Sequence, residues 1–146
     1  MGDSAAIDDA LVARLLADAA LMALVPDGVF VDEAGASLVT GGNATRFVIV
    51  SLVEEHDVQK FGGRAYEDAL YQVEARMLST VAGADITAAA ARLDALLEDQ
   101  PLTVAGYAPM ALYRESRIRL TEIDDADASI RWHRRGGHFR LVMSPV

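Results

Sequence analysis

Ile130-Arg-Trp-His-Arg-Arg-Gly-Gly-His-Phe-Arg-Leu-Val-Met143 is the stretch on which the fold reading turns. Gly136-Gly137 offers the positive φ values that both central positions of a two-residue type I′ turn demand, so the stretch reads as a β-hairpin. That register sets Arg135 opposite His138, Arg134 opposite Phe139, Trp132 opposite Leu141 and Ile130 opposite Met143. One face is then largely apolar. The other collects Arg131, His133, Arg135 and Arg140 with His138 and Val142. Like charges directly opposite one another destabilise a sheet, so this basic face calls for an acidic partner. The partner is this chain, another copy of it, or a phosphate backbone.

Working outward, the rest of the chain alternates helical and extended patterns. Asp3 or Ser4 caps a helix with Ile7, Leu11, Leu15 and Leu16 at helical spacing, and Asp18 opens a further turn that Pro26 and Gly28 end. Val29-Phe30-Val31 is a short strand, Glu33 to Arg46 a loop, and Phe47 to Val53 an apolar central strand. From Tyr66 to Leu78, Ala69, Tyr71, Val73, Ala75 and Met77 alternate with Gln72, Glu74 and Arg76. Asp85 caps an amphipathic helix striped by Ile86, Ala89, Ala90, Leu93, Leu96 and Leu97, which Pro101 stops. Leu102 to Val104 is a short strand. Met110 to Glu122 is a long one, with Ile118 and Leu120 alternating with Arg117 and Arg119. The order predicts an α+β fold: one domain over 1–146, an antiparallel sheet of about four to five strands, two main helices on one face.

Composition narrows the function. The chain has 146 residues, 52% of them hydrophobic, a net charge of −9 and no Cys. Disulfides, thiolate metal sites and thiol nucleophiles are excluded. The apolar stretches are too short and too interrupted to span a bilayer. No basic n-region precedes an apolar run, so no signal peptide is expected and a cytoplasmic origin is. Residues 1–99 hold 17 acids and 6 bases, and residues 100–146 hold 5 acids and 7 bases. A protein this acidic is poorly suited to gripping nucleic acid through phosphate contacts. A divided charge suits self-association, with one end of a copy meeting the other end of the next.

Reactive motifs are weak. Asp125-Ala-Asp-Ala-Ser129 begins like an EF-hand loop, but Ile130 stands where the sixth-position Gly is required and Gly136 where the bidentate Glu belongs. The three histidines, His56, His133 and His138, lack the helical spacing of a zinc hydrolase. Asp124 and Asp125 with His133 and His138 would make an acid–base or metal cluster only if loops brought them together. Gly41-Gly-Asn43 and Gly62-Gly63 lack the Lys-Ser/Thr and the strand–glycine–helix setting of a phosphate loop. No catalytic residue, cofactor or metal is expected, and an enzyme is the minority reading.

Leu15-Leu-Ala-Asp-Ala-Ala-Leu-Met-Ala-Leu-Val25 followed by Val29-Phe30, the strand Phe47-Val-Ile-Val50, Val73-Glu-Ala-Arg76 and Trp132-His-Arg-Arg-Gly-Gly-His-Phe-Arg140 occur in a telling order. In these segments, from about Ala6 to Val142, the chain resembles the tail terminator (tail completion) family of long-tailed bacteriophages, prophages and gene transfer agents. The loop from Glu33 to Arg46 is longer than in a minimal member. The resemblance implies a virion protein, assembled in the host cytoplasm, that forms a six-membered ring. Such a ring caps the head-proximal end of the tail tube, stops tube polymerisation and meets the head connector or stopper. DNA passes through its lumen without specific binding. A neck or head-completion protein of the same particle, and an enzyme built on the Asp124–His138 region, are the alternatives.

Two surfaces are expected to serve assembly. The first is the basic face of Arg131, His133, Arg135 and Arg140. The second is the segment Glu54 to Ala65, longer than an ordinary hairpin loop. Its apolar Val58 and Phe61 would be buried against a neighbouring protein.

Overall fold

The computed structural model describes residues 4–33, 45–60, 63–108, 110–124 and 126–144, with the backbone alone at 4, 57–60, 63–66 and 110. Among the described residues ten elements follow in order: α1 Ser4–Leu16, α2 Ala19–Leu24, β1 Val29–Val31, β2 Arg46–Lys60, β3 Gly63–Leu78, α3 Ser79–Ala82, α4 Asp85–Leu97, β4 Pro101–Leu102, β5 Met110–Ile123 and β6 Arg131–Met143. The strands form one six-stranded sheet in the order β1-β2-β3-β6-β5-β4. β1 runs parallel to β2 and every other neighbouring pair is antiparallel. The expected antiparallel sheet of four to five strands is therefore corrected. The sheet is mixed, has six strands and curls into a half-barrel.

The larger correction concerns the C-terminus. Arg131 to Met143 is one unbroken strand, not a hairpin. It is threaded between β3 and β5, with Gly136 opposite Glu74 on one side and Ile118 on the other. The glycines answer a need for space rather than for a turn. A Cβ at Gly136 would lie 2.0 Å from the carbonyl oxygen of Val73 and 2.6 Å from the Cα of Glu74. A Cβ at Gly137 would lie 2.9 Å from the carbonyl oxygen of Ser116. Glycine inside a strand commonly marks such a close backbone approach. The turn that the sequence offered at Gly136 is made instead by the acidic segment before β6. There Asp124 Oδ1 accepts the N–H groups of Ala126 and Asp127, and the Ile130 carbonyl accepts the N–H of Asp124.

Alternation along each strand divides the sheet into two faces. On one, Val48, Val50, Tyr71, Val73, Ala75, Met77, Leu112, Phe139, Leu141 and Met143 are buried in one apolar cluster with Ile7, Leu11 and Leu15 of α1 and Ile86, Ala89, Leu93 and Leu97 of α4. Leu16, expected in the α1 stripe, is 49% exposed instead. α2 is anchored by its cap: Asp18 accepts the N–H of Leu21 and holds Arg92 of α4 through both carboxylate oxygens, at 2.6 and 2.7 Å. A second tie crosses the core, where the buried Tyr71 hydroxyl donates to Asp8 at 2.7 Å.

Candidate assembly surfaces

The second face of the sheet is charged, yet much of it is withdrawn from water. Glu74 of β3 is 0% exposed. Arg134 on the neighbouring β6 donates to both of its carboxylate oxygens, and Arg76, two residues along β3, donates to Oε1 at 2.8 Å. Arg134 also reaches Glu122 of β5 at 3.2 Å. A buried carboxylate is tolerated only when paired and hydrogen-bonded, and these two guanidiniums meet that condition. Beside them Phe47 packs edge-on against Phe30 and Trp132, at centroid distances of 6.1 and 5.6 Å.

Further along the same face Arg140 gathers three carboxylates. It contacts Asp68 at 2.6 Å, Glu115 at 2.8 Å and Glu54 at 3.2 Å, and its side chain is only 15% exposed. These partners raise its pKa and lower those of Glu54 and Glu115, each through the shared hydrogen bond. The acidic partner required for Arg140 is thus this chain itself.

The continuous β6 strand redistributes the other residues expected at an interface. Alternation places Arg131, His133 and Arg135 on the helix side of the sheet, and Arg140 on the opposite side. Arg131 is exposed, His133 and Arg135 half-buried. Arg135 donates to the Thr87 hydroxyl of α4 at 2.5 Å, and His133 Nδ1 lies 3.3 Å from the hydroxyl of Thr121. His138 falls on the other face, with Nδ1 2.8 Å from the Ser116 hydroxyl. The two histidines therefore do not converge, and Asp124 is occupied in its own turn. Asp125 lies outside the described residues, and among those described the Asp124–His138 constellation is not assembled.

Within the expected Glu54–Ala65 arm, residues 54–60 and 63–65 are extended chain. β2 and β3 stay paired out to Lys60 opposite Gly63, whereas β6 pairs with β3 only as far as Glu67. The end of this two-stranded ribbon therefore runs on past the β6 border. Val58 lies on its β2 strand opposite Tyr66. The side chain of Val58, and Phe61 altogether, lie outside the described residues, as does most of the expected Glu33–Arg46 loop.

The outer edge of β5 was not anticipated. β4 pairs only with Met110 and Ala111 of this strand. The connection before β4 then continues the cover briefly: the Gln100 carbonyl accepts the N–H of Leu112, and a Glu98 carboxylate oxygen accepts that of Arg114. Among the described residues, no strand pairs with the remainder of this edge, which runs to Ile123. Tyr113, Leu120 and Ile123 are exposed along it. Arg117 and Arg119 were legible as the polar half of the alternation. What gives them meaning is the strand order, which places β5 beyond β6 at the border of the sheet.

No family model and no curated protein matches the chain. The fold does have solved counterparts. It is similar to a chain of the virion of a native gene transfer agent particle, at 24% identity over 97% of this chain and 96% of that one, with a TM-score of 0.64. It is also similar to a second solved chain at 14% identity, over 100% of this chain and 97% of the other, with a TM-score of 0.54. Both comparisons run over nearly the full length of each chain, and what they establish is a common fold.

Proposed function

We propose that this chain is a structural subunit of a tailed phage-like particle, and within it a tail terminator. Copies form a ring, most simply of six, that caps the head-proximal end of the tail tube, halts its growth and offers a surface to the head connector, with DNA passing through the lumen. The observation that carries the reading is the near full-length fold likeness to a virion chain of a gene transfer agent particle. Two features of the chain support it. The sheet has one short edge followed by acids, at β1, and one long edge beside arginines, at β5. A ring requires such unlike patches, because each copy meets the next through a heterologous contact. The ribbon of β2 and β3 extends past the sheet border, as a contact arm to tube or connector would.

Negative-stain electron microscopy of the purified protein, alone and with its tube protein, tests the proposal. Rings, or tubes capped at one end, are expected. Tubes of unregulated length, with no ring on the tube ends or in assembled particles, would reject it.

A further inference from the structure

Past its short cover by β4 and residues 98–100, β5 has an unpaired edge among the described residues, and an open edge is a template for another strand. On the helix side of this edge the charges are unbalanced. Arg119 lies directly opposite Arg135, an arrangement that is unfavourable unless an acid answers it. Arg117 lies beside them, with its side chain 71% exposed. These three guanidiniums, with Thr87, Ala90 and Asp94 of α4, line a depression between helix and sheet. Asp94 is its only carboxylate among the described residues, and it is already bound to Arg114 at 2.8 Å, with Arg117 at 3.8 Å.

The covered part of the edge shows what this border accepts. Before the depression, a Glu98 carboxylate takes the N–H of Arg114 while Asp94 takes its guanidinium. An acidic, extended segment is thus the chemistry that the open part would also take. A second β5 edge paired about Ile118 would set Arg117 and Arg119 against those of its copy, which is unfavourable. That weighs against a two-fold pairing centred on this part of the edge and favours a head-to-tail one. The opposite border of the same sheet supplies a fitting partner: Val29–Val31, with Val31 exposed, followed at once by Asp32 and Glu33. Faces also match, because Val31 and Thr121 both lie on the helix side of their strands, by their pairing with Val50 and His133.

We infer that the outer edge of β5 receives the β1 edge of a second copy, so that the sheet continues from subunit to subunit, with Asp32 and Glu33 seated against Arg117, Arg119 and Arg135. This deepens the ring reading and rests on it.

The chain has no Cys, which makes directed cross-linking clean. Under mild oxidation the double variant V31C/T121C should give a ladder of disulfide-linked oligomers, and neither single variant should. In the cysteine-free background, R117E/R119E should weaken association roughly 2- to 30-fold, the range expected for losing two exposed ion pairs. Adding Glu33→Arg should recover part of it. The reversal spares Asp32, whose φ of 66° already disfavours most side chains. Dimers formed by T121C alone would overturn the inference in favour of two-fold pairing. Rings that form without any V31C–T121C cross-link would overturn it too, while leaving the ring reading intact. Failure to form rings even on tube ends would instead remove the reading on which it rests.

Discussion

The two faces of this sheet each withdraw a central region from water, by different physics. Beneath α1 and α4 the closure is apolar: Phe139, Leu141, Tyr71 and Leu112 are each 0% exposed within one continuous cluster. On the other face the corresponding depth is held by Glu74 between Arg76 and Arg134, and by Arg140 among three carboxylates. The first arrangement stabilises in proportion to buried area and tolerates volume-conserving change. The second depends on pairing and does not tolerate the loss of one member. A face held by a few ion pairs can expose or remake them when a neighbour docks, which a packed apolar face cannot do.

Truncation should separate the faces most sharply. Phe139→Ala is expected to destabilise by about 3–5 kcal/mol, the cost of an aromatic deletion in a closed core. Glu74→Ala should approach the same cost, up to about 3 kcal/mol, because it takes the shared carboxylate from Arg76 and leaves Arg134 only Glu122. The distinction appears in rescue. Replacing Glu74 and Arg134 together by Leu and Met should recover much of the Glu74→Ala loss, as apolar replacement of whole buried ion pairs often does. Denaturant unfolding of the three variants checks both points. A double variant as unstable as Glu74→Ala would show that the charged face is not held by pairing.

Gly136→Ala comes next. Its added methyl meets backbone rather than a movable side chain, so the loss should reach or exceed the 1–3 kcal/mol usual for overpacking. Thermal unfolding measures it, and a neutral result would mean that β3 and β6 are farther apart than described. Arg140→Met should be milder, since Glu54 and Glu115 remain open to water. Its signature is a loss of salt sensitivity in the unfolding midpoint.

The smallest effect is a pH dependence on the helix side. The Arg92 hydrogen bonds hold the Asp18 carboxyl at about 2, below its ordinary 3.8. A depressed carboxylate contributes stability that is complete above its unfolded pKa and is lost as pH falls through the folded one. The contribution of Asp18 is therefore present above about pH 4 and disappears toward pH 2. Asp18→Asn should flatten that limb of the acid-unfolding curve, and an unchanged limb would contradict the assignment.

How far the fold could be read depends on whether the deciding contacts are local. The stripe of α4 through Ile86, Ala89, Leu93 and Leu97, the cap at Asp18 and the alternation from Ala69 to Met77 are local patterns, and each appears in the structure. Gly136-Gly137 misled because a turn glycine and a close-approach glycine look alike in sequence. Only the neighbouring Val73 and Glu74 backbone distinguishes them. The same error placed Arg140 with Arg131, His133 and Arg135, since a turn reverses which residues share a face and a straight strand does not. Arg117 and Arg119 were visible, but strand order is a non-local property, so their place at an open border was not. Nor could alternation reveal that Glu74 on the polar face would be buried.

The proposed assembly is a closed ring of copies of this chain at the end of a tail tube. Cryo-electron microscopy of particles carrying this protein tests it most directly. One ring of this chain is expected between tube and connector, with β5 of each copy beside β1 of the next. Particles in which the position between tube and connector is filled entirely by other chains, with this one elsewhere or absent, would contradict it.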